Sequence, residues 1–231
     1  MDTNIGTYSR IESISSNCIS ERLSAQGSAR NAATEYRHAL PDYPLAGLDV
    51  LDVGCNDGAA FLHPSFAGAT RLTGIDVDAA AIARGKQLYP HLELVVAPAE
   101  AIPFPDASFD VGLSRVALPY THIPTALGEF RRVLRRRGRL FLSMHDLRLQ
   151  MEWFRAALNA RAWKRIVDHA YIFPASALFN TTGMCLPRPW NARFETIQTR
   201  SRMFKELERA GFTDVTSRRI GHHWIVEGVA K

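Results

Sequence analysis

Cysteine is scarce in this chain of 231 residues, with three in all, Cys18, Cys55 and Cys185. Three scattered thiols exclude a disulfide framework, and their spacing fits no zinc cluster, so each reads as a free thiol. Long hydrophobic runs are also missing. Nothing approaches the roughly 18 consecutive apolar residues of a membrane span, and the opening "MDTNIGTYSRIESISSNC" lacks the apolar centre of a secretory signal. The expectation is therefore a cytoplasmic chain with no membrane partner. Internal repeats and low-complexity tracts are absent, which excludes repeat architectures.

What is present suits one globular domain with appendages: 46% of residues are hydrophobic and 22% charged. The net charge of +5 raises nucleic acid or acidic metabolites as partners. Much of the excess sits in "RRVLRRRGR" at residues 131–139, where arginines are expected to close an amphipathic helix and complement its C-terminal dipole. Nucleic acid is accordingly not favoured.

Residues 1–46 are polar, with a helical stretch around "SARNAATEYRHAL", and end in "PDYPLAG", whose prolines and glycine mark a boundary. Short apolar runs then alternate with helical segments. "LDVLDV" precedes a helix expected over residues 57–66, and "RLTGID" precedes one over 78–88. "LELVV" follows, then "FDVGLS" with a helix over 121–134, then "RLFLSMH". This rhythm predicts an α/β fold with a parallel sheet covered by helices on both faces. Residues 147–197 break the rhythm with an aromatic-rich segment that includes Trp153, Phe154, Trp163, Tyr171, Phe173, Phe179, Trp190 and Phe194, expected to pack down as a helical cap. Residues 198–231 resume it with a helix stopped by Gly211 and two strands.

The strand "VLDV" runs into "GCNDG" at residues 54–58. A strand that ends in a glycine turn and opens a helix lets backbone N–H groups approach a ligand, and the helix N-terminus adds partial positive charge. Dinucleotide sites want G-x-G-x-x-G, but Asn56 and Ala59 stand at its second and third glycines, which disfavours a nicotinamide dehydrogenase. Gly54 and Gly58 fit instead the G-x-G-x-G turn of S-adenosylmethionine enzymes. Asn56 holds the middle place, and asparagine is the residue after glycine that best tolerates left-handed backbone angles. Asp76 closes the next strand, where a carboxylate can accept both ribose hydroxyls.

In these motifs the stretch 47–146, and more loosely the rest to the C-terminus, resembles the class I S-adenosylmethionine-dependent methyltransferases, in particular the type-11 group that includes quinone-biosynthesis methyltransferases. "VLDVGCNDG" is similar to that family's first motif and "GIDVD" to its second. "VVAPAEAIPFPDASFDVGLSRVAL" is similar to the third and fourth, and "EFRRVLRRRGRLFLSMHD" to the following helix and strand, with Arg136-Arg137 where the family often has Pro-Gly. The resemblance implies a Rossmann-like seven-stranded sheet, mostly parallel, with the last strand antiparallel, and residues 47–146 as the S-adenosylmethionine-binding core. It implies cofactor contacts from Asp52, Gly54, Cys55, Asn56, Gly58, Asp76 and Val77, with backbone carbonyls of Ser114 and Arg115 serving the ammonium group. The Asn56 amide is expected to reach the methionyl portion. Pro98 stands where many relatives carry an adenine-binding aspartate, so adenine recognition leans on the Ala99 N–H, Glu100 and apolar contacts.

Methyl transfer to a hydroxyl or N–H also needs a place for a proton, and candidates belong at the C-terminal strand edges. His145 ends its strand there, either as a base or as a strand-end histidine bonded to backbone, and Tyr120 follows the fourth strand. His122 reads better as part of a helix start capped by Thr121. Asp146, Asp168 and His169 match no metal cluster, and adjacent His222 and His223 point to opposite faces of a strand, so no metal is expected. The sequence thus predicts a metal-independent methyltransferase acting on O or N of a small aromatic, heterocyclic or otherwise apolar acceptor. An RNA or protein methyltransferase and a catalytically silent S-adenosylmethionine-binding protein are the alternatives. Oligomeric state is open.

Overall fold

The computed structural model describes residues 40–220 and 223–231. The expected helix near "SARNAATEYRHAL" falls almost wholly outside the described residues, as does Cys18. The chain order is β1 (Asp49–Val53), β2 (Arg71–Asp76), α1 (Ala79–Leu88), β3 (Glu93–Val96), β4 (Phe109–Arg115) and α2 (Ile123–Val133). It continues with β5 (Leu134–His145), α3 (Leu147–Asn159), α4 (Trp163–Thr182), α5 (Arg200–Ala210), β6 (Phe212–Ile220) and β7 (His223–Ala230). The strands form one seven-stranded sheet in the order β3-β2-β1-β4-β5-β7-β6. Neighbours from β3 to β5 are parallel, and β7 runs antiparallel to both β5 and β6. The order reverses between β1 and β4, which makes the crevice at their C-terminal ends the natural ligand position for this topology.

Strand β1, "DVLDV", is buried at every residue but the first, as a strand covered on both faces must be. Its neighbours Val50 and Leu51 point into different cores. Leu51 joins Phe130, Phe179, Leu207 and Phe212 under α2, α4 and α5, while Val50 joins Phe66, Ile82, Leu94 and Phe141 on the α1 face. Thr199 caps α5 by accepting the Arg202 N–H, and Gly211 stops it with φ of 92°, as the sequence predicts.

Two elements differ from expectation. The helix foreseen at 57–66 is a pair of short 3-10 turns, Ala59–Leu62 and Pro64–Phe66. Pro64 explains the break, because it has no N–H for the Ala60 carbonyl and forces His63 into extended geometry, φ −68° and ψ 139°. The arginine run closes a helix only in part. Helix α2 ends at Val133 with Arg131 and Arg132 in its last turn, and the remaining arginines lie in β5. Arg135 there reaches Asp110 of β4 at 2.6 Å and Asp49 of β1 at 2.7 Å, so carboxylates on these two strands, rather than a helix dipole, balance it.

Helices α3 and α4 follow β5 as a hairpin. Asp146 caps α3 through the Leu149 N–H at 2.9 Å. The extended chain after α4 crosses back over the sheet edge, where the Thr196 N–H donates to Pro119 O at 3.1 Å and the Phe194 ring lies 5.5 Å from that of His122.

Candidate functional site

At the switch point the turn 54–58 alternates into the left-handed region at Gly54 (φ 82°), Asn56 (55°) and Gly58 (79°). Gly54 is sterically obligatory, since a Cβ there would sit 2.2 Å from the Ala117 Cβ in the loop leaving β4. Asn56 adopts the left-handed angle that its chemistry tolerates. Its side chain is committed locally, because Oδ1 accepts the Asp57 N–H at 2.8 Å and Arg84 Nη2 at 3.2 Å. Its amide oxygen is thus engaged within the turn, and only the amide NH2 is left to reach toward a ligand. Arg84, on α1, also holds Asp57 at 3.2 Å, a brace that no sequence motif signals because α1 lies beyond the next strand.

Asp76 at the end of β2 faces this turn. One carboxylate oxygen accepts the Asn56 N–H at 2.8 Å and the other the Asp78 N–H at 2.9 Å. A carboxylate has about four acceptor positions, so both oxygens can take a further donor. Burial pushes the Asp76 carboxyl above the usual range, with the two N–H groups pulling the other way. Beside it Val77 and Val96 are 55% and 49% exposed, large apolar groups flanking a polar acceptor.

On the β1–β4 side, Arg115 Nη2 donates to Asp52 Oδ2 at 2.7 Å in a pair largely removed from water. Asp52 Oδ1 and Arg115 Nε are both buried without a hydrogen-bond partner, as is Ser114 Oγ. Orphaned buried polar atoms of both charges at the C-terminal ends of β1 and β4 suit a zwitterionic ligand end. The Arg115 guanidinium is thus held at Asp52, where only a backbone carbonyl was expected of this residue. Val116 follows with φ of 62°, rare for a β-branched residue, and its N–H donates to Ser143 O at 2.8 Å.

Three of the expected cofactor residues have contacts within the protein. The Cys55 side chain packs into the α1-side core, where a Cβ on Gly74 would meet its sulfur at 2.6 Å. Burial, and then the Asp52 and Asp76 charges, push its thiol far up, while its N–H donates to Ile75 O at 3.1 Å and its carbonyl accepts the Gly58 N–H at 3.0 Å. Glu100 is turned to the start of α2, accepting the His122 N–H at 2.6 Å. Ala99 is buried among core residues. His122, not Thr121, is the N-cap residue of α2, and its ring bonds Thr125 Oγ1 at 2.7 Å.

The acid-base candidates lie along the same sheet edge. Tyr120 sits half-buried in the 3-10 turn Leu118–Tyr120 after β4. His145 is half-buried at the end of β5, with its ring 5.1 Å from Trp153 of α3 and 4.9 Å from His223. His145 and His223 are register partners across β5 and β7. This pairing was invisible in the sequence, where His223 invites comparison only with His222. His169 is structural: its Nδ1 bonds Arg165 O at 2.8 Å and its ring packs on Phe154 at 5.3 Å. Among the described residues no three His, Cys, Asp or Glu side chains cluster to hold a metal. A groove of about 580 Å³ lined by Pro124, Met184, Arg202 and Glu206 includes none of the predicted site residues.

Residues 51–142 match a family model described as a methyltransferase domain. The phthiotriol/phenolphthiotriol dimycocerosates methyltransferase of Mycobacterium leprae (strain TN) is 36% identical over 110 residues, 46% of this chain and 40% of that protein. The fatty-acid O-methyltransferase of Mycolicibacterium smegmatis (strain ATCC 700084 / mc(2)155) is 33% identical over 131 residues, 54% of this chain and 47% of that protein. The chain thus spans about half the length of the curated relatives it matches. Among solved structures, a possible histamine N-methyltransferase from Thermotoga maritima superposes with a TM-score of 0.61 over 97% of this chain and 100% of that one, at 14% identity. An S-adenosylmethionine-dependent methyltransferase from Mesorhizobium loti gives 0.59 over 88% and 98%, at 18% identity. At such identities these two speak for the fold alone.

Proposed function

Since residues 51–142 belong to the type-11 group of class I S-adenosylmethionine-dependent methyltransferases, we propose that the chain methylates an oxygen or nitrogen atom of an apolar small molecule without a metal. The observation that carries this is Asp76, a carboxylate that closes β2, faces the left-handed turn through the Asn56 N–H, and retains acceptor capacity for a ribose diol.

The residues present fit the cofactor. Asp76 would hold the ribose, Val77 and Val96 the faces of the adenine, and Gly54 and Gly58 the close backbone approach. Asp52 and Arg115 would face the amino-acid end, an ammonium and a carboxylate, in place of backbone carbonyls alone. S-adenosylmethionine supplies, when bound, a methyl group already activated by positive sulfur. The chain's own residues then have to align the acceptor and exclude water, and alignment of this kind is worth roughly 7–11 kcal/mol. His145 is assigned as the proton acceptor, because an imidazole is largely neutral at physiological pH and this one lies at the sheet edge. Tyr120 is assigned to orient the acceptor by its hydroxyl. Trp153 and the neighbouring α3–α4 aromatics favour an apolar acceptor. The relatives named for a fatty acid and for dimycocerosates favour a lipid-like one methylated on oxygen.

Calorimetric titration with S-adenosylmethionine, S-adenosylhomocysteine and NADH tests the cofactor assignment. Micromolar binding of the two sulfur ligands alone is expected. Binding of NADH, or of none of the three, overturns it.

A further inference from the structure

Helix α4 carries two apolar stripes where a cap helix needs one. Its inner stripe, His169, Ile172, Ala175, Ser176 and Phe179, is buried. On the opposite side Trp163, Val167, Tyr171, Pro174 and Leu178 recur at helical spacing, with Trp163 72% and Val167 54% exposed. This outer stripe is the more hydrophobic of the two, since the inner one contains a histidine and a serine. Tyr171 extends it sideways to Trp190, whose ring is 5.6 Å away. The exposed charges at and near the α3–α4 corner are Arg155, Arg161, Lys164 and Arg165, with Glu152 two turns back along α3. The nearby Asp168 is held by Arg188 at 3.1 Å.

We propose that this face docks on an anionic lipid surface. Helix α4 lies in the plane of the interface, with Trp163, Val167 and Trp190 at headgroup depth and the corner cations on lipid phosphates. Two features select a lipid surface over a second copy of the chain. Arg161 and Lys164 flank the exposed end of the stripe at Trp163 without balancing acids, so a copy would offer them no complement, whereas phosphates do. Tryptophan and tyrosine along one edge are side chains with an apolar body and a polar handle, which favours an interface between oil and water. No described helix is long and apolar enough to cross a membrane, so the contact is superficial. The sequence's expectation of no membrane partner rested on the missing span, and a surface contact needs none. The inference stands independently of the methyl-transfer reading.

Co-sedimentation of the full chain with vesicles of 30% phosphatidylglycerol in phosphatidylcholine, and with pure phosphatidylcholine, tests it. Binding to the anionic vesicles is expected to exceed binding to the neutral ones at least tenfold and to weaken with salt. The double variant Trp163→Ser, Val167→Asp should lose it. Lys164→Glu with Arg165→Glu, at exposed positions where folding is insensitive, should lose it independently, with melting temperatures unchanged in both variants. Absence of binding, or equal binding by the variants, overturns the proposal. A wild-type dimer that the first variant converts to monomer also overturns it, and gives the face to a second copy.

Discussion

Seven described residues without glycine's freedom occupy left-handed backbone, and the circumstances of two, Asn56 and Arg137, differ. Asn56, at φ 55°, recovers part of the strain through the bonds its side-chain oxygen accepts from the Asp57 N–H and Arg84. Arg137, at φ 66°, is exposed in β5 where a β-carbon only adds strain. The left-handed conformation disfavours an L-residue by about 1–2 kcal/mol, and glycine's extra unfolded-state freedom returns about half of that. Arg137→Gly is expected to stabilise the protein by about 0.5–1 kcal/mol, seen as a rise of a few degrees in melting temperature. Asn56→Ala should lower stability by about 1–2 kcal/mol. A fall in the first or no change in the second would mean that the turn energetics lie elsewhere. At this scale the sequence was partly legible. Asparagine's tolerance for the turn follows from its chemistry, and Asp76 from its place after a strand. Arg115 was not legible as a partner of Asp52, because that ion pair joins residues of different strands through a register the sequence does not print.

At the scale of elements, the site depends on how closely the β1 turn packs on the loop leaving β4. A Cβ on Gly54 would overlap the Ala117 Cβ, so Gly54→Ala must strain the backbone and separate the two loops together. Overpacking of this kind costs roughly 1–3 kcal/mol beyond the left-handed strain. Removing the opposing methyl with Ala117→Gly should recover the packing part alone, and a double-mutant cycle by denaturant unfolding measures the coupling. Additive losses would show that the two loops do not bear on each other. For His145 the assigned role as base predicts that His145→Ala leaves cofactor affinity unchanged while kcat falls by about 10²- to 10⁴-fold and its acid limb in the pH profile disappears. A rise in KM with kcat intact would make His145 a packing partner of Trp153 instead. The alternation of strands and helices was readable throughout, because buried parallel strands are continuous apolar runs. The helix expected at 57–66 failed on one residue, Pro64, whose effect on the Ala60 carbonyl overrides an otherwise helical composition.

At the scale of the whole molecule, the proposed role of Asp76 couples stability to the ligand. Burial holds this carboxyl above the ordinary aspartate range. In the empty protein a raised carboxyl pKa is a penalty on folding that is fully present above the folded value and vanishes as pH falls below the unfolded one. A ribose diol donating to Asp76 favours the charged form, so binding draws the pKa back down and releases protons on the acid side. Affinity for S-adenosylhomocysteine is therefore expected to be flat near neutrality and to fall as pH drops through the raised pKa, starting at a higher pH than an ordinary aspartate would give. Ligand at a hundred times its Kd stabilises the fold by about 2.7 kcal/mol, which for a chain of this size raises the melting temperature by roughly 5–11 °C. That rise should shrink as the buffer is taken toward the acid limit of the fold. Asp76→Ala should weaken affinity at least tenfold, removing about 1.4 kcal/mol at fixed ligand concentration. It also deprives the Asn56 N–H of its partner, so the variant's own melting temperature serves as the baseline. NADH should produce no rise at any pH. A ligand-induced rise that holds constant into acid and survives Asp76→Ala would place the ribose away from β2 and detach the Asp76 assignment from the family resemblance.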